Sequence, residues 1–97
     1  MTAEKIYVRP DGTRVKIQAA FSTGSIARGS VWSIWVQTLQ PRKKKWLDVF
    51  STDDYHYRKL DFAAREAFIL ERQLAVCTRA EMLEVKLQIW ESLKPTE

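Results

Sequence analysis

The chain has little of what catalytic and metal sites are usually built from. Its 97 residues include one cysteine, Cys77, one histidine, His56, and three glycines. A lone cysteine excludes an intrachain disulfide and a cysteine cluster for zinc, and a lone histidine excludes a two-histidine metal site. The sequence patterns of phosphate-binding loops, metalloproteases and nucleophile elbows are absent. We therefore expect a protein that is not an enzyme and has no catalytic residues, metal or cofactor.

The few chemically reactive side chains have simpler explanations. Cys77 and His56 could form a nucleophile–base pair only by meeting in space. Cys77 instead fits the apolar side of a helix, where a free cysteine acts as a small hydrophobic residue. Asp53 and Asp54 could be half of a carboxylate site, but we interpret them as residues that begin a helix, where carboxylates are stabilised by free backbone N–H groups.

Long apolar segments are also lacking. No unbroken apolar run exceeds four residues, as in 67–70, whereas a helix that crosses a bilayer needs about 20. The N-terminus does not have the basic-then-apolar pattern of a signal peptide. We expect no membrane partner and a cytoplasmic location. The length fits one small domain, 1–97, with flexible ends at about 1–4 and 95–97.

The N-terminal half predicts a first β-hairpin. We expect a short strand over 5–9 and a turn over 10–13, where proline and glycine favour the required dihedral angles. The segment 14–21 alternates apolar and polar residues, as a strand with one buried face does. The serine- and glycine-containing segment 22–30 predicts a loop that leads to a second hairpin.

The second hairpin, over 31–50, is the most distinctive stretch. Two aromatic-rich runs flank the polar segment 40–45, which predicts two strands joined by a basic tip. In the first run Trp32 and Trp35 lie on opposite faces. If Trp32 faces the core, Trp35 lies on the outer face, and in the same register Trp46 joins it there. Which tryptophan is buried depends on the register of the strand pairing.

The C-terminal half predicts helices. The segment 53–60 is consistent with a short helix, a turn or a short strand. Apolar residues at helical spacing predict a helix over 62–76. Thr78 and Glu81 have the spacing of a capping box, which starts a second helix that ends by about residue 94. Strands followed by helices predict an α+β domain, in which an antiparallel sheet of about four strands from two hairpins carries two helices on one face.

The last helix carries two apolar rows, although one row would be enough to cover a sheet. Leu83, Leu87 and Trp90 form one row. Because a small domain often buries a surplus apolar row against a second copy, we expect a partner-binding surface here, with a homodimer as the simplest case. The row that we assign to the partner consists of Met82, Val85, Ile89 and Leu93.

The basic charge is concentrated in the first half of the chain. Residues 1–52 hold nine basic and three acidic side chains, and residues 53–97 hold seven and nine. The basic tip has a simple explanation, because charged tips keep hairpins soluble and discourage edge pairing. With tryptophans on the same face, it also fits a phosphate backbone and stacked bases. The predicted nucleic-acid-binding residues are Arg14, Lys16, Trp35, Arg42, Lys43, Lys44, Lys45 and Trp46.

Other residues and another partner fit the same surface. Tyr7, Arg9 and Arg28 would extend the basic face, with Tyr7 as a further stacking residue. Exposed tryptophan and arginine are also typical of protein-binding hot spots. The alternative function is therefore a protein–protein module, an adaptor or inhibitor that binds an acidic protein through the aromatic sheet face or binds through the apolar row of the last helix.

Overall fold

The computed structural model describes residues 1–22, 31–51 and 53–93. Within these ranges the four strands form one antiparallel sheet in the order β1-β2-β3-β4, and three helices follow. The α+β class predicted from the sequence is confirmed. None of the described helices is long and apolar enough to cross a membrane. The elements are β1 (Thr2–Val8), β2 (Arg14–Ser22), β3 (Val31–Leu39), β4 (Leu47–Asp48), α1 (Tyr55–Arg58), α2 (Phe62–Leu74) and α3 (Arg79–Leu93).

The first hairpin closes as the sequence predicts. Gly12 has a φ of 91° and donates its N–H to the Arg9 carbonyl at 2.9 Å, and the Thr13 N–H donates to Asp11 Oδ1 at 2.9 Å. Strand β1 is longer than expected. Its pairing with β2 begins at Thr2, so residues 2–4, which we expected to be loose, are part of the sheet. Except for Ser22, the predicted loop 22–30 lies outside the described residues, as do 95–97.

The core lies between the sheet and α3. Val15 and Ile17 of β2 are buried, and they pack with Val85 and Ile89 of α3 in one apolar cluster. Cys77 is buried in the same cluster, as expected for a small hydrophobic residue. Side chains two residues apart on a strand point to the same side. The buried residues of β2 are therefore the apolar set predicted from the alternation in 14–21.

Strand β4 is shorter than the predicted second strand of its hairpin. Only Leu47 and Asp48 pair with β3, followed by one bond from the Val49 N–H to the Val36 carbonyl at 3.1 Å. Phe50 then leaves the sheet. Its ring packs against Tyr57 and Phe68 from the first two helices, with centroid distances of 4.7 and 6.0 Å. If the strand continued, Phe50 would point outward like Asp48, two residues before it, so the backbone must leave the sheet for this ring to contact the helices.

Helix α2 covers less of the sheet than its apolar pattern predicts. Phe62, which belongs to the apolar pattern of this helix, is 78% exposed, because only the C-terminal half of α2 reaches the core. There the buried Gln73 donates its Nε2 to the Ile34 carbonyl at 3.0 Å and so satisfies a backbone group at the open edge of β3. Between β3, α2 and α3 an open cleft of about 570 Å³ remains, lined by Leu70 and Met82 among others.

The two apolar rows of α3 have exchanged the roles that we predicted. Met82, Val85 and Ile89 are buried in the core of this chain, so they are not a free partner surface. The side chain of Leu93, the fourth member, lies outside the described part. Leu83, Leu87 and Trp90 are exposed instead. The sequence could not choose between the rows, because both are apolar and the choice depends on how the helix is rotated against the sheet.

Strand β1 reverses the usual alternation of polar and apolar residues. Lys5 and Tyr7, together with Arg9 just after the strand, face α3, where each finds an acidic partner. Arg9 donates to both carboxylate oxygens of Glu81 at 2.7 and 2.8 Å. Tyr7 donates its hydroxyl to Glu84 Oε2 at 2.7 Å, and Lys5 pairs with the same carboxylate. We had expected Tyr7 and Arg9 to extend the basic outer surface. They do not, because both side chains face α3.

Glu81 joins the start of α3 to β1. It accepts from the Thr78 N–H at 2.9 Å, and its own N–H donates to Thr78 Oγ1 at 3.1 Å, which confirms the predicted capping box. The Arg9 guanidinium and these hydrogen bonds lower the pKa of the Glu81 carboxyl to about 2. One side chain thus caps the helix and fixes its position against the sheet.

Because of the Glu81 carboxylate, we expect the free energy of unfolding to decrease at acidic pH. The pKa of this carboxyl falls from 4.5 to about 2 on folding. The ionised carboxylate therefore stabilises the folded state fully at pH values above 4.5, and this stabilisation is lost as the pH falls toward 2. We expect wild type to be more stable than Glu81→Gln by about 2 kcal/mol near pH 6, after allowing for partial solvent screening. Urea unfolding of both proteins at several pH values measures this difference.

Glutamine can still serve in a capping box, so the comparison isolates the charge. Glu71→Gln, on the exposed side of α2, is the matched control and should be no less stable than wild type. A stability gap between wild type and Glu81→Gln that stays constant from about pH 6 to pH 2 would contradict the assignment.

Candidate nucleic-acid interface

The sheet face that points away from the helices is the candidate interface, and we call it the outer face. Its members follow from the strand register, since residues directly opposite on paired strands share a face. Lys16 lies between Ile6 and Gln37, Gln18 lies opposite Trp35, and Arg14 lies opposite Leu39. Within the described residues, no helix packs on this face. The outer face includes Glu4, Ile6, Val8, Arg14, Lys16, Gln18, Trp35, Gln37, Leu39 and Asp48.

Among the described residues, no ion pair involves a basic residue of this face. The ion pairs found in the described residues all lie on the helix side of the sheet or on α1. The two carboxylates of the outer face are held by neutral partners: Gln18 Nε2 donates to Glu4 at 2.9 Å, and Gln37 Nε2 donates to Asp48 at 2.9 Å. Arg14 is exposed and Lys16 is half-buried, and neither pairs with a carboxylate in the described part of the chain.

The two tryptophans of the interface differ in accessibility. Trp35 is 53% exposed on the outer face. Trp46 is half-buried, and the Lys16 Nζ lies 4.2 Å from the centroid of its ring. A cation over an aromatic face is attracted by the ring quadrupole, so Trp46 positions Lys16 and has less open ring surface. Trp35 is the better stacking residue.

The basic tip is held against the first hairpin. The Lys43 N–H donates to the Gln40 carbonyl at 3.1 Å, which closes a turn in which Arg42 has a φ of 65°. Pro41 sets the preceding dihedral, as in turns that need a positive φ at the third position. A Cβ added at Gly12 would lie 3.3 Å from Pro41 Cγ, so the two turns touch at one end of the sheet. We call 42–45 the basic tip; all four side chains are exposed.

The structure therefore brings the predicted residues together in part. Arg14, Lys16 and Trp35 share the outer face, Trp46 lies against Lys16, and the basic tip extends from the same end of the sheet as Arg14. Arg28, which we expected to add to this surface, lies outside the described residues. The sequence missed Ile6 and Val8, which are exposed beside the cations. Only the reversed alternation of β1 explains their position.

The remaining chemical candidates do not form a site. Burial raises the pKa of the Cys77 thiol to about 11, and its Sγ donates to the Gln73 carbonyl at 3.1 Å, so the reactive thiolate is disfavoured. His56 is exposed on α1. Asp54 caps α1 by accepting from the His56 N–H at 2.8 Å, which agrees with the predicted helix start. Among the described residues, no three His, Cys, Asp or Glu side chains could hold a metal ion.

The turn of the basic tip predicts a stability change. A left-handed conformation is unfavourable for a residue with a Cβ and easy for glycine. We expect Arg42→Gly to raise the free energy of unfolding by about 0.5–1 kcal/mol, and Arg42→Ala to give no gain. Both variants remove the same charge, so urea unfolding of the two isolates the backbone effect. Equal stability of the two variants would mean that residue 42 is not left-handed in solution.

Comparison of the chain with protein-family models, with curated proteins and with solved structures gives no match. No relative therefore supplies a function, a ligand or a set of site residues. A functional assignment depends on the physical character of the outer face and the basic tip. In the described part of the chain their cations form no ion pair, Trp35 is exposed and no helix covers the face.

Proposed function

We propose that this chain is a cytoplasmic, non-catalytic module that binds nucleic acid through the outer face and the basic tip. The observation that carries the proposal is that the outer face holds an exposed Trp35 and cations which, among the described residues, form no ion pair and are covered by no helix. Cations bind phosphates and release counterions, and an open aromatic ring stacks on a base.

The cations are spaced along one line of the surface. Arg14 and Lys16 are two residues apart on β2, a separation of about 7 Å along the strand, and the basic tip continues from the end where Arg14 lies. A groove or row of cations of this kind tracks a phosphate backbone without reading its sequence. We therefore infer that affinity depends mainly on the backbone of the ligand.

The tryptophans favour an unpaired strand over a duplex. Bases in a duplex are stacked on one another, whereas bases of single strands and loops are free to stack on aromatic side chains. Trp35 provides the exposed ring, and Lys16, held over Trp46 at 4.2 Å, places a cation on the same face. We infer a preference for single-stranded nucleic acid.

The conformation of Arg42 gives independent support. A glycine would be more stable at a positive φ, yet the turn carries an arginine at 65°. Strained backbone conformations tend to occur at functional positions. An arginine here adds a fourth cation to the tip at the expense of some stability, which fits a surface whose charge is used in binding.

An acidic protein is the second candidate ligand. The exposed Ile6 and Val8 lie directly beside Lys16 and Arg14 on the outer face. Apolar side chains contribute little to a phosphate contact, but they suit the apolar centre of a protein interface. Binding of this kind would depend less on salt than binding to phosphates does.

The experiment is a fluorescence anisotropy titration of labelled single-stranded and duplex oligonucleotides at several salt concentrations. We compare wild type with a variant in which Lys43, Lys44 and Lys45 are changed to alanine. We expect a loss of at least about tenfold in affinity near 50 mM salt and a salt slope shallower by about 2, since each lost phosphate contact removes just under one from the slope.

Two further variants sharpen the comparison. The matched control changes Arg58, Lys59 and Arg72, all exposed outside the sheet, to alanine; it lowers the net charge equally and should bind like wild type. Trp35→Ala should weaken single-strand binding by about 1–3 kcal/mol and leave the salt slope unchanged. Lack of binding near 50 mM salt, or equal losses in the tip and control variants, would refute the proposal and direct the search to acidic proteins.

A further inference from the structure

The exposed apolar row of α3 has the spacing of a coiled-coil seam. Leu83, Leu87 and Trp90 are 54%, 44% and 52% exposed. With Ala80 they follow the three–four–three spacing of alternating a and d positions in a heptad repeat. Ala80 and Leu87 then occupy a, and Leu83 and Trp90 occupy d. An apolar seam of this kind on a helix is normally covered by another helix.

The buried residues of α3 lie on the opposite side of the helix. In the same heptad Met82 and Ile89 occupy position c and Val85 occupies position f, away from the seam. These three side chains form the contact with the sheet. The helix can therefore keep its place in the core of the chain while its seam binds a second helix.

Charged residues flank the seam with opposite signs on its two sides. On one flank, the g positions are Arg79 and Lys86. On the other, the e positions are Glu84 and Glu91. In a parallel pair of identical helices each g residue lies near the following e residue of the other helix, whereas in an antiparallel pair g faces g and e faces e. A parallel pair of α3 helices thus places opposite charges next to each other, whereas an antiparallel pair places like charges together.

We propose that α3 is the interface of a parallel homodimer, with a twofold axis that runs along the helices. We choose a second copy of this chain as the partner because the charged residues that flank its seam are complementary to those that flank the first. Arg79 of one copy lies near Glu84 of the other, and Lys86 lies near Glu91. The contact is isologous, so each complementary pair occurs twice.

The contacts of Glu84 and Lys86 within the chain are compatible with the pairing. Glu84 binds Lys5 and Tyr7 at the edge of the sheet but remains exposed, and a carboxylate has about four acceptor sites. Lys86 Nζ lies 5.6 Å from the centroid of the Trp32 ring, and a lysine head group can reach a carboxylate from such a position because its stem is flexible. The outer face lies on the other side of the sheet, so dimerisation leaves it uncovered.

The interface is small, and the dimer is therefore expected to form reversibly. The seam extends over about two heptads, less than the length of most stable coiled coils, and three large side chains per chain bury much less than the about 1,600 Å² of a standard interface. We expect a dissociation constant on the order of micromolar, so that the monomer and dimer are both observable.

Sedimentation velocity of the full chain, from about 1 µM to about 200 µM, tests the proposal. We expect the weight-average mass to rise toward twice that of the monomer. Leu87→Glu, at an exposed position, should weaken the dimer at least about tenfold, because it places two like charges in the seam. Leu83→Glu repeats the test at a second layer, and circular dichroism confirms that both variants fold.

Charge reversal tests the parallel orientation. Lys86→Glu should weaken the dimer about fivefold, since it replaces two attractive pairs by repulsive ones. Adding Glu91→Lys to the same chain should restore the wild-type affinity. In an antiparallel dimer, where g faces g, Lys86→Glu would replace no attractive pair by a repulsive one, so it would not weaken the dimer. Lys44→Glu, at the basic tip, is the matched control and should dimerise as wild type does.

Three results would overturn the proposal. A monomer at every concentration would show that the seam is not a site for a second copy, and would leave another part of this chain or another protein as its partner. A dimer that persists in Leu83→Glu and Leu87→Glu would place the interface elsewhere. Failure of the double charge reversal to restore the affinity lost in Lys86→Glu would exclude the parallel pairing.

Discussion

The packing of α3 on β1 and β2 is the interaction on which the rest of the structure depends. Val85 and Ile89 pack with Val15 and Ile17 in the buried cluster, and full burial of each such side chain contributes about 1.5–3 kcal/mol. The Glu81 carboxylate, with its bonds to Arg9 and Thr78, contributes about 2 kcal/mol. The apolar contact therefore supplies most of the stability, and the bidentate pair of Arg9 with Glu81 selects the position of the helix along β1.

This packing also determines which surfaces remain open. One helix covers one face of the sheet, and α2 reaches the core only near Gln73. The opposite face carries Arg14, Lys16 and Trp35 into solvent, with glutamines as the partners of its two carboxylates. Among the described residues, no helix packs on that face, so the position of α3 leaves it open.

Local patterns in the sequence predicted several features well. The alternation of 14–21, the Pro10–Thr13 turn and the Thr78–Glu81 capping box depend on residues that are neighbours in the chain, and each was found in the structure. The shared face of Lys16 and Trp35 followed from the same alternation once the register was chosen. The predictions failed where a distant contact overrides a local pattern, as for Phe50, which leaves the sheet to join Tyr57 and Phe68.

The sequence by itself determined the α+β class, the position of the basic charge and the start of α3, because these follow from the spacing of residues close together in the chain. Only the tertiary structure decided which apolar row of α3 is buried and which face of β1 is polar. Both rows are apolar enough to form a core, and β1 turns Lys5, Tyr7 and Arg9 inward only because Glu81 and Glu84 lie there to pair with them. Such choices depend on partners far away in the sequence, and no local periodicity contains them.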